Sequence, residues 1–479
     1  MCGILGIYGN DDVSEELLMG LTSIQHRGQD AAGMVTFDET FRLKKGLGYV
    51  SSVFKEKNLK RLSGNIGLGH VRYSTVGAGE ELDVQPFFLN YPYGLAMVHN
   101  GNVTNFQSIR KKLLEDYHRL LDTSNDVALI LYTLAAQLEK KDLKNLEIDD
   151  IFDAVADTQK MIEGAYSTVT IVANKGILAF ADPYGIRPIV MGMKETDKGP
   201  AYAFCSESTC FDFLGYKLVR DLEPGEAVFI DNEKKIHSKI CHRQGDSFCV
   251  FEYIYFAKED SIINKKLVAT ERVKMGKILA ERIKTRGLNP DIIIDVPNSA
   301  YFFASGLAEV LKVPYRRGFS KNNFIGRSFI LPSQKERELA VRQKLNPIRD
   351  IIKGKKVAVA DDSIVRGTTS RHIVKMLKDF GAKEVYFISA APPVKCRCVY
   401  GIDMSIKTHL IASGKGNKEI EDYIGADALV YQTIEDLKSV YHDQKCCYAC
   451  FSGEYPTGIS EESLSNIEKE RILAEENAN

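Results

Sequence analysis

The stretch VAVADDSIVRGTTS (Val357–Ser370) is a run of buried-strand residues, then two adjacent acids, then a loop rich in Gly, Thr and Ser that leads into a helical pattern. A strand that is apolar on both faces reads as the interior of a parallel sheet. Asp361 and Asp362 stand where that strand ends, the place at which open α/β sheets bind their ligands. The backbone N–H groups and hydroxyls of 363–370 form a nest for an anion at a helix N-terminus. Two carboxylates for ribose hydroxyls and a nest for a phosphate together fit a ribose 5-phosphate.

Working outward, PDIIIDVP (290–297) and KEVYFISAAPP (383–393) are further strands of the same kind, and helical patterns alternate with them from about residue 250 onward. This half reads as α/β with a parallel sheet. The first half is different. Short apolar runs bounded by Gly, Asn or Asp, such as CGILGIYG (2–9), NIGLGHVRY (65–73), GLAMVHNGNV (94–103) and GEAVFID (225–231), alternate with helical patterns such as NFQSIRKKLLEDYHRLL (105–121). That is an α+β layout. The expected units are therefore 2–235, 250–455 and a charged C-terminal helix or tail at 456–479, with the polar NEKKIHSKICHRQGDS (232–247) as the connection.

Composition agrees with two cores: 479 residues are 44% apolar and 27% charged, which suits a folded chain of two domains. A net charge of -1 argues against a protein that coats nucleic acid. No apolar run approaches the roughly 20 residues that cross a bilayer, and the N-terminus carries no secretory signal pattern, so a soluble, cytoplasmic protein without a membrane partner is expected. The ten cysteines then read as metal ligands, a nucleophile and buried thiols, not as a disulfide framework.

Cys2 follows a Met that aminopeptidase is expected to remove, because the cysteine side chain is small. Removal places a thiol and an α-amino group on one residue, and that amine titrates near pH 8, close enough to neutrality to take the thiol proton. Cys2 can serve as nucleophile and base together. Alone, an MC start is better explained by an ordinary thiol.

HRGQDAAG (26–33), GHVRYSTVG (69–77), QPF (85–87), HNGNVTN (99–105) and DPYGIRP (182–188) follow one another in an order and spacing that resemble the class II glutamine amidotransferases. The resemblance implies an N-terminal-nucleophile hydrolase with an αββα sandwich, in which Cys2 attacks the amide of glutamine. It implies an oxyanion hole from the Asn100 side chain and the Gly101 backbone N–H, an arrangement suited to a developing negative charge. Arg72 would clamp the glutamine carboxylate as a fork-shaped cation, and Arg27 with the loop after it would cover the bound substrate. The residue for the glutamine α-amino group falls in DTSNDVALIL, where a literal alignment points to Asn125 and a shift of one points to Asp126. Asp126 is chosen because the shift aligns the following apolar residues better, with helix capping as the competing reading.

The Val357–Ser370 stretch resembles the phosphoribosyl pyrophosphate (PRPP) signature of type I phosphoribosyltransferases. By that resemblance Asp361 and Asp362 bind the ribose hydroxyls, directly or through Mg²⁺, and Ser363, Arg366, Gly367, Thr368 and Thr369 hold the 5-phosphate. Ser299 of VPNSA would lie near Mg²⁺ and pyrophosphate, although Asn298 stands where the family usually has Asp. KNNFIGRSFILPSQKERELAVRQKLNPI (321–348) is similar to a mobile loop that closes over PRPP, with Lys321, Arg327, Arg342 and Lys344 facing the leaving pyrophosphate; a charged, solvated helix is the alternative for the last two.

The two halves together resemble one family end to end, the amidophosphoribosyltransferases, which implies transfer of the glutamine amide nitrogen to PRPP at the start of purine synthesis. It also implies a homotetramer inhibited by purine nucleotides. A non-catalytic PRPP-sensing regulator is the rival reading. Some members of the family carry a [4Fe–4S] cluster on four cysteines, and Cys249, Cys398, Cys447 and Cys450 match those positions. Zinc accepts the same ligands, and inert thiols remain a third reading.

Overall fold

The computed structural model describes residues 2–73, 81–322 and 345–478. Two antiparallel sheets make the first half. In one, of seven strands, Gly3–Tyr8 runs between Ile66–Arg72 and Gly199–Cys205; in the other, of six, Gly164–Val172 lies between Leu95–Val103 and Gly176–Ala181. Successive side chains of a strand point to opposite faces, and the burial follows that rule. Ile4 and Tyr8 join Val98, Val169 and Ile177 in the core between the sheets. Leu5 and Ile7 join Leu17 and Leu21 of the helix Ser14–Ser23 on the outer face. Helices Asp126–Leu138 and Ile148–Met161 cover the other sheet through Leu129, Leu134, Ile151 and Val155. This is the expected αββα sandwich, and it brings Cys2, at the start of a central strand, to the level of the ends of Ile66–Arg72 and Leu95–Val103.

The second half is built on four parallel strands in the order Ile292–Asp295, Lys356–Asp361, Glu384–Ser389, Ala428–Tyr431. Ile293, Ala358, Ala360 and Ile388 pack toward the helices Val268–Thr285 and Tyr301–Leu311. Ile292, Val357, Val359 and Phe387 pack toward Thr368–Asp379 and Asn417–Ile424. Register sets Asp295 opposite Ala360 and Asp361 opposite Ser389, so the carboxylates gather at the C-terminal edge. The halves share one buried core: Ala165 and Ile186 of the first lie with Phe248–Ala257 and Val399–Tyr400 of the second.

Two expectations need correction. The connection is in part a strand: Ile236–Ile240 pairs with Glu226–Asp231, so the first unit runs past residue 235. Its polarity misleads because it is an exposed sheet edge, where charged residues guard unpaired backbone groups. The C-terminal helix Glu461–Ala478, whose charge reads as that of a solvated, partly frayed helix, is docked. Leu464 is buried, Arg397 pairs with Glu461 and Glu468, and Arg471 reaches Asn102 in the first half. Among the described residues no helix is long and apolar enough to cross a membrane.

Candidate functional site

Cys2 is gripped by its backbone. Its N–H donates to Asn100 Oδ1 at 3.1 Å, and Arg27 Nε donates to its carbonyl at 3.0 Å. The thiol lies 3.9 Å from the Tyr73 carbonyl. Asn100 is fully buried, and its Nδ2 has no hydrogen-bond partner among the described residues. Leaving a buried donor unpaired costs about 1–3 kcal/mol. Gly101 follows with φ +150°, and a Cβ there would sit 1.9 Å from the Ala165 carbonyl oxygen. Only glycine fits.

Arg27 does not reach out over the substrate space as the resemblance implied. It is 2% exposed, and its guanidinium is committed to Glu207 and, at 2.9 and 3.0 Å, to Glu252. Burial of the arginine is offset by these two carboxylates, which hold its pKa up, and Glu207 in turn is held well below the usual carboxylate range by His26 and Arg27 despite its burial. Glu207 also accepts from the Lys258 N–H and the Ser261 hydroxyl, which ties the support of Cys2 to the start of the second half. The sequence reading missed both carboxylates, which lie 180 and 225 residues away from Arg27.

Arg72, at the end of its strand, is buried with Asp83 3.8 Å away. Asp83 accepts from Thr123, and its carbonyl accepts from Asn125 Nδ2. Asn125 and Asp126 take different positions. Asn125 is the N-cap of Asp126–Leu138, its side chain accepting from the Val127 N–H at 3.1 Å. Asp126 turns instead to the strand that carries Asn100 and Gly101 and accepts from the Val103 N–H at 2.9 Å. Burial pushes its carboxyl up to about 6, against the opposing pull of the Val103 N–H and Arg471.

In the second half, Ser299 and Ser363 both donate to the Asp362 carboxylate, and the Asp362 N–H donates to Asp361. Burial and the neighbouring Asp362 push the Asp361 carboxyl well up, with Asp295 adding to the effect. Burial also raises Asp362, while Ser299, Ser363 and Arg272 oppose it. Asp295, which receives the Tyr315 hydroxyl at 2.9 Å, is a third carboxylate that the sequence reading did not single out, though it ends the strand IIID just as Asp361 ends its own. Ser363, Arg366 and Gly367 lead into the helix that starts at Thr368 and Thr369. Lys321 closes the strand Phe319–Lys321, paired with Leu345–Pro347, and burial lowers its pKa. Arg327, Arg342 and Lys344 lie outside the described residues.

The four matched cysteines converge. Cys249 and Cys447 are direct partners in a short parallel pair, and the Cys450 carbonyl accepts from the Lys395 and Cys396 N–H groups, two residues from Cys398. All four are buried. Burial raises the Cys450 thiol first, then Cys398, Cys447 and Cys249 add to it, so four thiols from three distant segments share one electrostatic neighbourhood. Among the described residues no three Cys, His, Asp or Glu side chains close around a single point as one metal ion needs.

Comparison with known proteins agrees with both halves. A family model described as a glutamine amidotransferase domain matches residues 70–212, and one described as a phosphoribosyl transferase domain matches 269–396. The amidophosphoribosyltransferase of Escherichia coli (strain K12) is 45% identical over 443 residues, covering 91% of this chain and 88% of that one. The amidophosphoribosyltransferase of Saccharomyces cerevisiae is 40% identical, covering 98% and 95%. The solved structure of glutamine PRPP amidotransferase from B. subtilis, complexed with ADP and GMP, is 37% identical and has a TM-score of 0.85, covering 96% of this chain and 98% of that one. The chain therefore belongs to the amidophosphoribosyltransferase family, glutamine-dependent enzymes that transfer the amide nitrogen of glutamine to PRPP in the first step of purine biosynthesis.

Proposed function

We propose that Cys2, with Met1 removed, is the nucleophile of glutamine hydrolysis and that its own α-amino group takes the thiol proton. The sulfur attacks the carboxamide carbon, and the oxygen that gains charge is received by Asn100 Nδ2 and the Gly101 N–H. Arg72 holds the glutamine carboxylate and Asp126 its ammonium group. Collapse of the tetrahedral adduct, with the α-ammonium returning its proton to the leaving nitrogen, expels ammonia and leaves a thioester, which water hydrolyses to glutamate and the free thiol. Ammonia then displaces pyrophosphate from C1 of PRPP, giving 5-phosphoribosylamine. Arg27 positions Cys2 through its carbonyl instead of touching glutamine.

The observation that carries this reading is the divided Asn100 amide: its oxygen accepts from the Cys2 N–H, and its buried nitrogen has no hydrogen-bond partner among the described residues. Removing one oxyanion donor costs about 10²–10³ in kcat. Asn100→Ala is therefore expected to lower glutamine-dependent pyrophosphate release from PRPP by that factor, while turnover with ammonium salts in place of glutamine persists. A variant as active as wild type with glutamine would remove Asn100 from the mechanism. The regulator alternative gains no support, since the relatives matched over nearly the whole chain are amidophosphoribosyltransferases.

Asp126 supplies a pH test. A carboxyl that titrates near 6 in the free enzyme is neutral below that pH and then cannot pair with the glutamine ammonium. The kcat/KM for glutamine is expected to fall as pH drops through about 6, and kcat less so, because bound glutamine favours the ionised carboxylate. The limb should vanish in Asp126→Asn, at a lower plateau; a wild-type profile flat to pH 5 contradicts the assignment.

Phosphoribosyltransferases generally use Mg²⁺, and the buried pair Asp361 and Asp362, with Ser299 hydrogen-bonded to the latter, is a donor set of the oxygen type that Mg²⁺ prefers. When bound, the ion would neutralise charge on the pyrophosphate that leaves. Residues Ser363, Arg366, Gly367, Thr368 and Thr369 would seat the 5-phosphate, and Lys321, Arg327, Arg342 and Lys344 would add positive charge for the pyrophosphate. The convergence of Cys249, Cys398, Cys447 and Cys450 supports a [4Fe–4S] cluster: four thiols satisfy its ligand count. Anaerobically purified protein is expected to be brown, with four irons and four sulfides per chain; stoichiometric zinc without iron would overturn the cluster. By analogy with the B. subtilis complex, purine nucleotides are the proposed inhibitors, and a homotetramer is the proposed assembly.

A further inference from the structure

We infer that the loop 398–404 of the C-terminal half holds the oxyanion strand in register, with Asn102 and Gly401 as positioning residues for glutamine hydrolysis. The inference rests on the roles proposed above for Asn100 and Gly101.

Asn102 follows Gly101 directly and is 5% exposed. Its Nδ2 donates to the Val399 carbonyl at 3.0 Å, and its Oδ1 accepts from Arg471 at 3.2 Å. Both ends of the amide are thus taken by residues of the C-terminal half, 297 and 369 positions away. Gly401 makes the second contact, backbone on backbone. It has φ +100°, and a Cβ there would meet the Gly101 carbonyl carbon, oxygen and Cα at 3.0, 3.1 and 3.2 Å. Gly101 has no slack on its own Cβ side either, where the Ala165 carbonyl oxygen stands. Its N–H can therefore move only if the loop or the neighbouring strand moves.

The loop itself is braced. The Cys398 N–H donates to the Met404 carbonyl and the Met404 N–H to the Ile402 carbonyl. The Tyr455 hydroxyl donates to the Arg397 carbonyl at 2.7 Å, and the Tyr400 hydroxyl bonds that of Thr457 at 2.8 Å. An oxyanion donor works only within hydrogen-bond reach of the charge that develops, and a misplacement of about 1 Å costs about 10²-fold. A contact of this kind couples the docking of the C-terminal half to the rate of amide attack without touching the substrate.

The test compares Gly401→Ala, Asn102→Ala and Asn102→Asp with wild type and with Gly425→Ala, which carries the same left-handed backbone (φ +74°) but has open space around its Cβ position. Each is assayed with glutamine and with ammonium salts. The expected result is a drop in glutamine-dependent kcat of roughly 10- to 100-fold for Gly401→Ala and about 10-fold for both Asn102 variants. The KM for glutamine and the ammonia-dependent rate should stay within about twofold. Asn102→Asp should be no better than Asn102→Ala, because the carboxylate keeps an acceptor for Arg471 but loses the donor to Val399. Wild-type glutamine-dependent kcat in Gly401→Ala and Asn102→Ala overturns the inference, as does a parallel loss of the ammonia-dependent rate, or an equal loss in Gly425→Ala. An Asn100→Ala enzyme that keeps its glutamine-dependent kcat overturns the oxyanion assignment itself, whatever the other variants do.

Discussion

Cys2→Ala is expected to lose glutamine-dependent pyrophosphate release by at least about 10⁴-fold, the scale seen when a covalent nucleophile is removed, and to keep turnover supported by ammonium salts. The asymmetry follows from the architecture. Cys2 lies in the αββα half, its backbone bound to Asn100 and Arg27, whereas the carboxylates Asp361 and Asp362 end a strand of the separate parallel sheet. Alanine keeps the backbone N–H that bonds Asn100, so the fold of the site should survive. Parallel rate measurements with the two nitrogen sources decide it: loss of both would mean that the substitution damages more than the hydrolytic step, and retention of glutamine turnover would remove Cys2 as nucleophile.

The converse pattern is expected for Asp361→Asn combined with Asp362→Asn. Both nitrogen sources need PRPP, so both rates should fall by at least about 10³-fold, given about 10²–10³ for a single lost electrostatic contact. Stability should move the other way. Two buried carboxylates side by side repel, and burial disfavours their charge; neutral amides of the same size relieve both effects. In metal-free buffer the double variant is expected to have a Tm equal to or above that of wild type, measured by thermal denaturation alongside activity. A lower Tm would show that Asp361 and Asp362 are stabilised by partners such as Ser299, Ser363 and Arg272 more than they are penalised by burial.

These residues show how far a one-dimensional reading reaches. The strand KVAVAD, its terminal acids and the loop after them are contiguous, so the reading rests on one stretch, and the parallel sheet sets the acids at its C-terminal edge. Asn100 and Gly101 are equally local, whereas what lies against them, Cys2 on one side and Gly401 on the other, is brought there by the fold. The sequence also aligned four cysteines to a cluster through resemblance, and the fold draws Cys249, Cys398, Cys447 and Cys450 together. The edge strand Ile236–Ile240 was not legible because a solvated edge needs only weak alternation of apolar residues. The helix Glu461–Ala478 was expected, but its docking was not legible, because its grip lies largely in ion pairs, which a charged, amphipathically weak segment does not advertise.

The sequence by itself determined the two-domain order, an α+β first half and a parallel-sheet second half, because these depend on side-chain type and short-range spacing, and its resemblance to a family supplied the αββα class and the candidate groups for the chemistry. Tertiary structure alone decided what each charged or polar group faces. Arg27 resembles a residue that covers substrate, yet Glu207 and Glu252 from distant segments bury it beneath Cys2. Asn125 and Asp126 are adjacent candidates, and only the start of the helix shows that the first caps while the second faces the oxyanion strand. Gly401 has no motif of its own; it matters because the fold presses it against Gly101. A buried polar group takes its role from its partners, and those partners are chosen by packing across hundreds of residues.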